Sequence, residues 1–142
     1  MSRPSMKARP TIYMGIKMRS RLEAYAAQRF DAAGRRWTYE PCAYGSSEGQ
    51  YLPDFRLDPD CISHCSECRP RCDLGRMSYT YVEVKPDLPT GKGLTYLRDR
   101  MLIIRASDPE AHLVIWDPTG NLAYLTGLGE DVDEWFHQGP WI

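Results

Sequence analysis

The 142-residue chain contains no apolar stretch that approaches the 18 or more residues of a membrane span. Its first twenty residues, MSRPSMKARPTIYMGIKMRS, also lack the apolar run of a secretory signal. Internal repeats and low-complexity tracts are absent as well. We therefore expect a single domain over residues 1–142, in the cytoplasm, with no membrane partner.

The chain also lacks a large net charge. Its 18 Lys and Arg nearly balance its 19 Asp and Glu, which leaves a net charge of −1. This balance excludes a polycation of the histone kind, but it hides a gradient along the chain. Residues 1–36 carry nine Lys or Arg and two acids, a net charge of +7, whereas residues 106–142 carry seven acids and neither Lys nor Arg. Such a basic end favours a polyanion partner such as nucleic acid.

The apolar pattern predicts an α/β fold in which helices flank a central mixed β-sheet. The basic segment 1–16 shows no clear period and is interpreted as an arm, and the acidic aromatic residues 130–142 are interpreted as a tail. Gly34 is the expected stop of the first helix. Helical spacing covers residues 18–33 and 94–105, and β-prone runs cover 37–44, 51–57, 79–85, 112–116 and 122–125.

The run YTYVEVKP is the strongest candidate for chemistry. The period of two in a strand places Glu83 and Lys85 on one face, while Val82 and Val84 form a core pattern on the other. If this strand pairs antiparallel with the run YLPDF, Asp54 and Glu83 converge on one hard cation beside Lys85. Two carboxylates, a backbone carbonyl and waters suit Mg²⁺ or Mn²⁺, which predicts metal-assisted hydrolysis of a phosphodiester.

Pro53-Asp54 followed by Glu83-Val84-Lys85 resembles the signature of the PD-(D/E)XK nuclease superfamily. Over about residues 11–116 the order of motifs is similar to that of small phage-type endonucleases, both TnsA-like and junction-resolving. The resemblance implies a restriction-endonuclease-like core that cuts DNA, with branched or nicked DNA among the possible substrates. It implies the catalytic set Glu23, Asp54, Glu83 and Lys85, with the metal held by Asp54, Glu83 and the Val84 carbonyl.

A cysteine-rich insert separates the two halves of this signature. Residues 58–78 have little strand or helix pattern of their own, and an insert of that length without a core needs a staple. Four thiolates suit structural zinc, with an iron–sulfur cluster as the alternative, and His64 or Asp73 could replace one thiolate. Cys42 is interpreted as a buried small hydrophobe. The four ligands are Cys61, Cys65, Cys68 and Cys72.

The arginines of the basic segment and of the insert are candidates for phosphate contact. For the insert, a structural staple with solvated arginines is an equal alternative. A homodimer is a further expectation, because cutting both strands commonly takes two active sites, but the sequence shows no distinct dimer seam. The predicted nucleic-acid-binding residues are Arg19, Arg21, Arg35, Arg36, Arg69 and Arg71.

Each member of the predicted active site also has a simpler interpretation. Glu83 and Lys85 could form an exposed ion pair, Asp54 could be a turn residue, and Glu23 could be a solvated acid paired with Arg19. The acid of the YEP sequence, residue 40, could be a metal ligand or an edge-strand charge. The rival function is a non-catalytic, zinc-dependent DNA-binding or assembly protein on a degenerate nuclease scaffold.

Overall fold

The computed structural model describes residues 9–59, 78–120 and 122–126. The predicted zinc ligands, Arg69 and Arg71, residues 1–8 of the arm and the tail 130–142 lie outside the described residues. None of the described helices is both long and apolar enough to cross a membrane.

The described elements alternate short strands with two helices. The order predicted from the sequence is present, although several runs divide into shorter strands. The elements are β1 (Thr11–Tyr13), β2 (Ile16–Met18), α1 (Arg21–Ala32), β3 (Trp37–Tyr39), β4 (Tyr44–Ser46), β5 (Gly49–Tyr51), β6 (Phe55–Leu57), β7 (Thr80–Val84), α2 (Gly91–Leu102), a 3₁₀ helix (Ile103–Ala106), β8 (His112–Asp117) and β9 (Leu122–Thr126).

The end of the predicted arm is an ordered hairpin, so the arm interpretation is wrong for its last residues. Strands β1 and β2 pair antiparallel around Met14 and Gly15, which both have positive φ angles (49° and 78°). Two positive φ angles match the twist of hairpin strands. Met18 ends β2 and is fully buried, so it belongs to a strand rather than to the predicted first turn of the helix.

Helix α1 begins three residues later than predicted because Ser20 caps it. The Glu23 amide donates to Ser20 Oγ at 3.1 Å, which satisfies one of the free amides of the first turn. The helix ends at Ala32, and Gly34 follows with a φ of 70°, as its predicted role as a stop requires.

The central sheet has five strands in the order β3-β6-β7-β8-β9. Strands β6 and β7 pair antiparallel, as predicted, whereas β7 and β8 pair parallel. The sheet is therefore mixed, and β7 is its middle strand.

Both faces of β7 are covered by helices. Val82 and Val84 pack in one buried cluster with Phe30 of α1, while Tyr81 packs in a second cluster with Leu97 and Met101 of α2. The alternation of these side chains follows from the period of two in a strand. The prediction of an α/β fold with a central mixed sheet between helices is confirmed.

The predicted strand 37–44 breaks at Glu40, which has a φ of 43° and precedes Pro41. Because the chain leaves the sheet there, Cys42 is exposed, and its interpretation as a buried hydrophobe is wrong. The chain then forms the separate β4–β5 hairpin before it re-enters the sheet at β6. Asp54 lies at this point of re-entry.

Candidate active site

The register of β6 and β7 brings the two central carboxylates together. Phe55 lies opposite Val82, so the next position along places Asp54 opposite Glu83, on the same face of the sheet. Asp54 is 5% exposed, so it is not an exposed turn residue. The predicted convergence of Asp54 and Glu83 is present in the structure.

Asp54 is held by contacts to both of its oxygens. The Val84 amide donates to Oδ2 at 2.8 Å, and the Arg19 guanidinium donates to Oδ1 at 3.2 Å. The charges of the Asp54 and Glu83 carboxyl groups also interact with each other. The aspartate is thus fixed at the end of β7 and directed at Glu83.

Glu83 contacts a tyrosine and a lysine on its other sides. Tyr51 donates from its hydroxyl to Glu83 Oε2 at 2.9 Å, and Lys85 Nζ lies 3.9 Å from Glu83 Oε1. Burial raises the pKa of Tyr51, so this hydroxyl keeps its proton and remains a donor. The Glu83 side chain is only 13% exposed and that of Lys85 is 42% exposed, so the two form an ion pair, as in the simpler interpretation, but only its lysine is exposed.

The surroundings of the pair disfavour the ionised form of both carboxyl groups, most strongly that of Asp54. Burial, followed by the charge of Glu83, raises the pKa of Asp54 well above its ordinary value. Burial also raises the pKa of Glu83, although Lys85 opposes this shift. Asp54 therefore keeps its proton to a higher pH than an isolated carboxyl group does. A divalent cation would replace that proton.

Glu23 reaches the site from the first turn of α1. It is buried, and its Oε2 accepts a hydrogen bond of 2.9 Å from the Tyr39 hydroxyl. Glu23 is therefore not the solvated helix acid of the simpler interpretation, although Arg19 does lie near it, at 3.8 Å. Glu23 belongs to the outer part of the site, since it contacts neither Lys85 nor the Val84 amide in any described hydrogen bond.

Arg19 joins the acids to one another. Its guanidinium lies 3.2 Å from Asp54, 3.7 Å from Glu40 and 3.8 Å from Glu23. The Arg19 side chain is 61% exposed, so the guanidinium lies on the solvent side of the acid cluster. Arg19 was predicted to contact phosphate, and the described partners of its guanidinium are carboxylates.

The other predicted arginines that the structure describes, Arg21, Arg35 and Arg36, are not brought to these acids. Arg21 is exposed at the start of α1, while Arg35 and Arg36 follow the end of that helix and line a separate groove beside Met14. Twelve helical residues span about 18 Å, which separates this groove from the Ser20 end of α1. Any phosphate contact by Arg35 and Arg36 would lie remote from the carboxylate pair.

The sequence did not single out Tyr39 and Tyr51. Both stand next to a break in a strand, at Glu40 and at Pro53, where an alternating pattern no longer tells which way a side chain points. The usable signal was the placement of a tyrosine three residues before Asp54 in YLPD. From the sequence, Glu40 could be a metal ligand or an edge-strand charge. In the structure, its carboxylate forms an ion pair with Arg19.

The donor set at this site fits Mg²⁺. This ion is commonly bound by one or two carboxylates and keeps several waters, and Asp54 and Glu83 supply two largely buried carboxylates whose charges interact. Within the described ranges, no group of three or more His, Cys, Asp or Glu side chains forms a denser metal-binding set.

Comparisons with protein families, curated proteins and solved structures found no match to this chain. The site is therefore interpreted from its own residues.

Proposed function

We propose that this protein is a Mg²⁺-dependent endonuclease that hydrolyses phosphodiester bonds in DNA on a restriction-endonuclease-like core. The observation that supports this most is the pairing of buried Asp54 with Glu83, whose side chain is 13% exposed, at the end of β7 beside Lys85. Two acids held together at the cost of mutual repulsion are typical of functional sites, because structural pairs usually have opposite charges.

Each residue of the site has a distinct role in this proposal. When bound, Mg²⁺ (or Mn²⁺) supplies a Lewis acid for the phosphodiester and for water. Asp54 and Glu83 bind the ion. The N–H and C=O of one strand residue point to the same neighbouring strand, and the Val84 N–H points to Asp54, so the Val84 carbonyl is placed to share in binding.

Lys85 is the candidate for positioning the attacking water. Its ammonium lies at the exposed rim of the carboxylate pair, 3.9 Å from Glu83, where it can also offset charge that develops on the phosphate. Tyr51 fixes the Glu83 carboxylate through its hydroxyl. Glu23 supports the site indirectly, through its contacts with Tyr39 and Arg19.

The non-catalytic alternative receives less support from these contacts. A degenerate scaffold would have no use for two buried acids, and neutral residues in their place would relieve the desolvation cost. The four-cysteine zinc site, its iron–sulfur alternative and the homodimer stay predictions from the sequence.

The proposal is tested by incubating the protein with supercoiled, linear, branched and single-stranded DNA and with RNA, in Mg²⁺ or Mn²⁺. We expect cleavage of DNA that EDTA stops. Lys85→Ala should lower the cleavage rate by at least about 100-fold, far more than it lowers DNA affinity in Ca²⁺. Lys92→Ala, which removes an exposed lysine of α2, is the matched control and should cut normally. Absence of cleavage on every substrate would refute the proposal.

A further inference from the structure

A cleft opens directly beside the carboxylate pair. It has a volume of about 560 Å³, within the range of roughly 300–1,000 Å³ of ligand pockets. Its polar wall contains Glu83 and Lys85, and its opposite wall is the face of α2 around Tyr96. The proposed roles of the two acids and Lys85 involve only the first wall. The second wall extends beyond the reacting centre.

The second wall offers apolar surface to solvent. Tyr96 is 67% exposed and Leu52 is 37% exposed, although both are large hydrophobic residues. An aromatic ring of this kind presents a flat face on which another ring can stack. The contrast with Leu94 and Leu97, which α2 buries in the core, shows that Tyr96 is on the outward side of the helix.

The cleft also carries positive charge at its edges. Arg19 and Arg100 line it together with Lys85. Arg100 is fixed in place, because its guanidinium donates to the Gln50 carbonyl. A flat apolar surface between cations matches a nucleotide, with its base on the ring and its phosphates at the rim.

We propose that this cleft binds an unpaired DNA nucleotide, with its base stacked on Tyr96 and its phosphate directed towards Lys85. This inference rests on the proposed function and names its substrate class: single strands, flaps or branch points. A base inside a duplex is stacked on both faces by its neighbours and has no free face for Tyr96. An unpaired base does, so single-stranded DNA is preferred over duplex DNA.

The test measures binding without cleavage, in Ca²⁺, by fluorescence anisotropy. The probes are a single-stranded oligodeoxynucleotide of roughly 12 nucleotides and the blunt duplex of the same sequence. The wild type binds the single strand ~10-fold more tightly than the duplex. Tyr96→Ala loses ~10-fold in affinity for the single strand, and Tyr96→Phe retains the affinity because the ring remains. Tyr25→Ala, at an exposed tyrosine of α1 outside the cleft, changes nothing.

An abasic scan of the same oligonucleotide tests the stacking contact itself. Removal of one base at a time weakens binding to the wild type at one position and leaves Tyr96→Ala unaffected there, because the two changes remove the same contact. Equal affinity for single strand and duplex, or a loss with Tyr96→Ala no larger than that with Tyr25→Ala, would overturn the inference. Tyr96-dependent binding without any cleavage would refute only the endonuclease, whereas cleavage that is indifferent to Tyr96 would refute only the cleft.

Discussion

Strand β7 carries two buried polar clusters only two residues apart on the same face. The first joins Tyr81 to Tyr44, whose hydroxyl oxygens are 2.8 Å apart. The second joins Glu83, near the end of β7, to Asp54, which lies beside it just before β6. Both clusters lie between the sheet and the α2 side of the molecule, but their chemistry differs.

The tyrosine pair satisfies itself. Each hydroxyl can donate one hydrogen bond and accept others, and Tyr81 also donates to Asp108 at 3.5 Å. Burial raises the pKa of Tyr81, so the pair stays neutral. Ionised carboxylates can only accept, and Asp54 and Glu83 repel each other when both are charged. The first cluster is therefore neutral, whereas the second is charged and depends on Arg19, Lys85 and a proton or metal ion to offset the repulsion between its acids.

The largest expected effect is on the cleavage rate, which should depend on the carboxylate cluster and not on the tyrosine cluster. Asp54→Asn and Glu83→Gln should each lower the cleavage rate by at least about 100-fold, because the neutral amides no longer bind the metal. Tyr81→Phe should leave the rate within a few-fold of the wild type. We expect initial rates on the best DNA substrate, measured in Mg²⁺, to show this difference.

Stability should show the opposite order: Tyr81→Phe should be less stable than Asp54→Asn. Tyr81→Phe leaves Tyr44 without its partner and should lower the free energy of unfolding by about 1–2 kcal/mol. Asp54→Asn should lower it by less, because the amide oxygen still accepts from the Val84 amide and the cost of burying a charge is removed, which offsets the lost contact of Oδ1 with Arg19. Urea unfolding in EDTA checks both values. A strongly destabilised Asp54→Asn would mean that Asp54 is a structural acid.

The sequence predicted the pairing behind this comparison, but not its surroundings. Val82 and Val84 alternate so regularly that the faces of β7, and hence the meeting of Asp54 with Glu83, followed from the period of two. The β1–β2 hairpin was missed because its strands have three residues each, too few for a period to show. The contacts of Arg19 with Asp54 and Glu40 depend on the end of that hairpin and were missed too, whereas its contact with Glu23 was one of the alternatives that helical spacing offered.

The pH dependence of stability should also distinguish the clusters. The pKa of Asp54 is raised in the folded protein above its ordinary value of 3.8, so the folded state keeps a proton that the unfolded state has lost. The free energy of unfolding in EDTA should therefore fall as pH rises from about 3.8 through the folded pKa, by at most ~1.4 kcal/mol per pH unit for one proton.

Thermal unfolding across this pH range provides the measurement. Tyr81→Phe should keep the slope, because tyrosine does not titrate there, whereas Asp54→Asn should flatten it. Mg²⁺ should raise the wild-type midpoint more at high pH than at low pH, since the ion competes with the proton on Asp54. An equal effect of Mg²⁺ at every pH would contradict a site at Asp54 and Glu83.

The smallest expected effect concerns Arg19, which supplies part of the positive charge that the carboxylate cluster needs. Because its guanidinium is largely exposed and contacts Asp54, Glu40 and Glu23 at 3.2–3.8 Å, it should compete weakly with a metal ion for these acids. Arg19→Gln should therefore tighten Mg²⁺ binding by about 2–5-fold, the range expected of an exposed ion pair. Calorimetric titration measures this, with Arg21→Gln at a nearby exposed position as the control. If Arg19→Gln instead weakens Mg²⁺ binding, Arg19 orders the carboxylates for the metal. The carboxylate cluster would then depend less on an added cation than the comparison with the tyrosine pair implies.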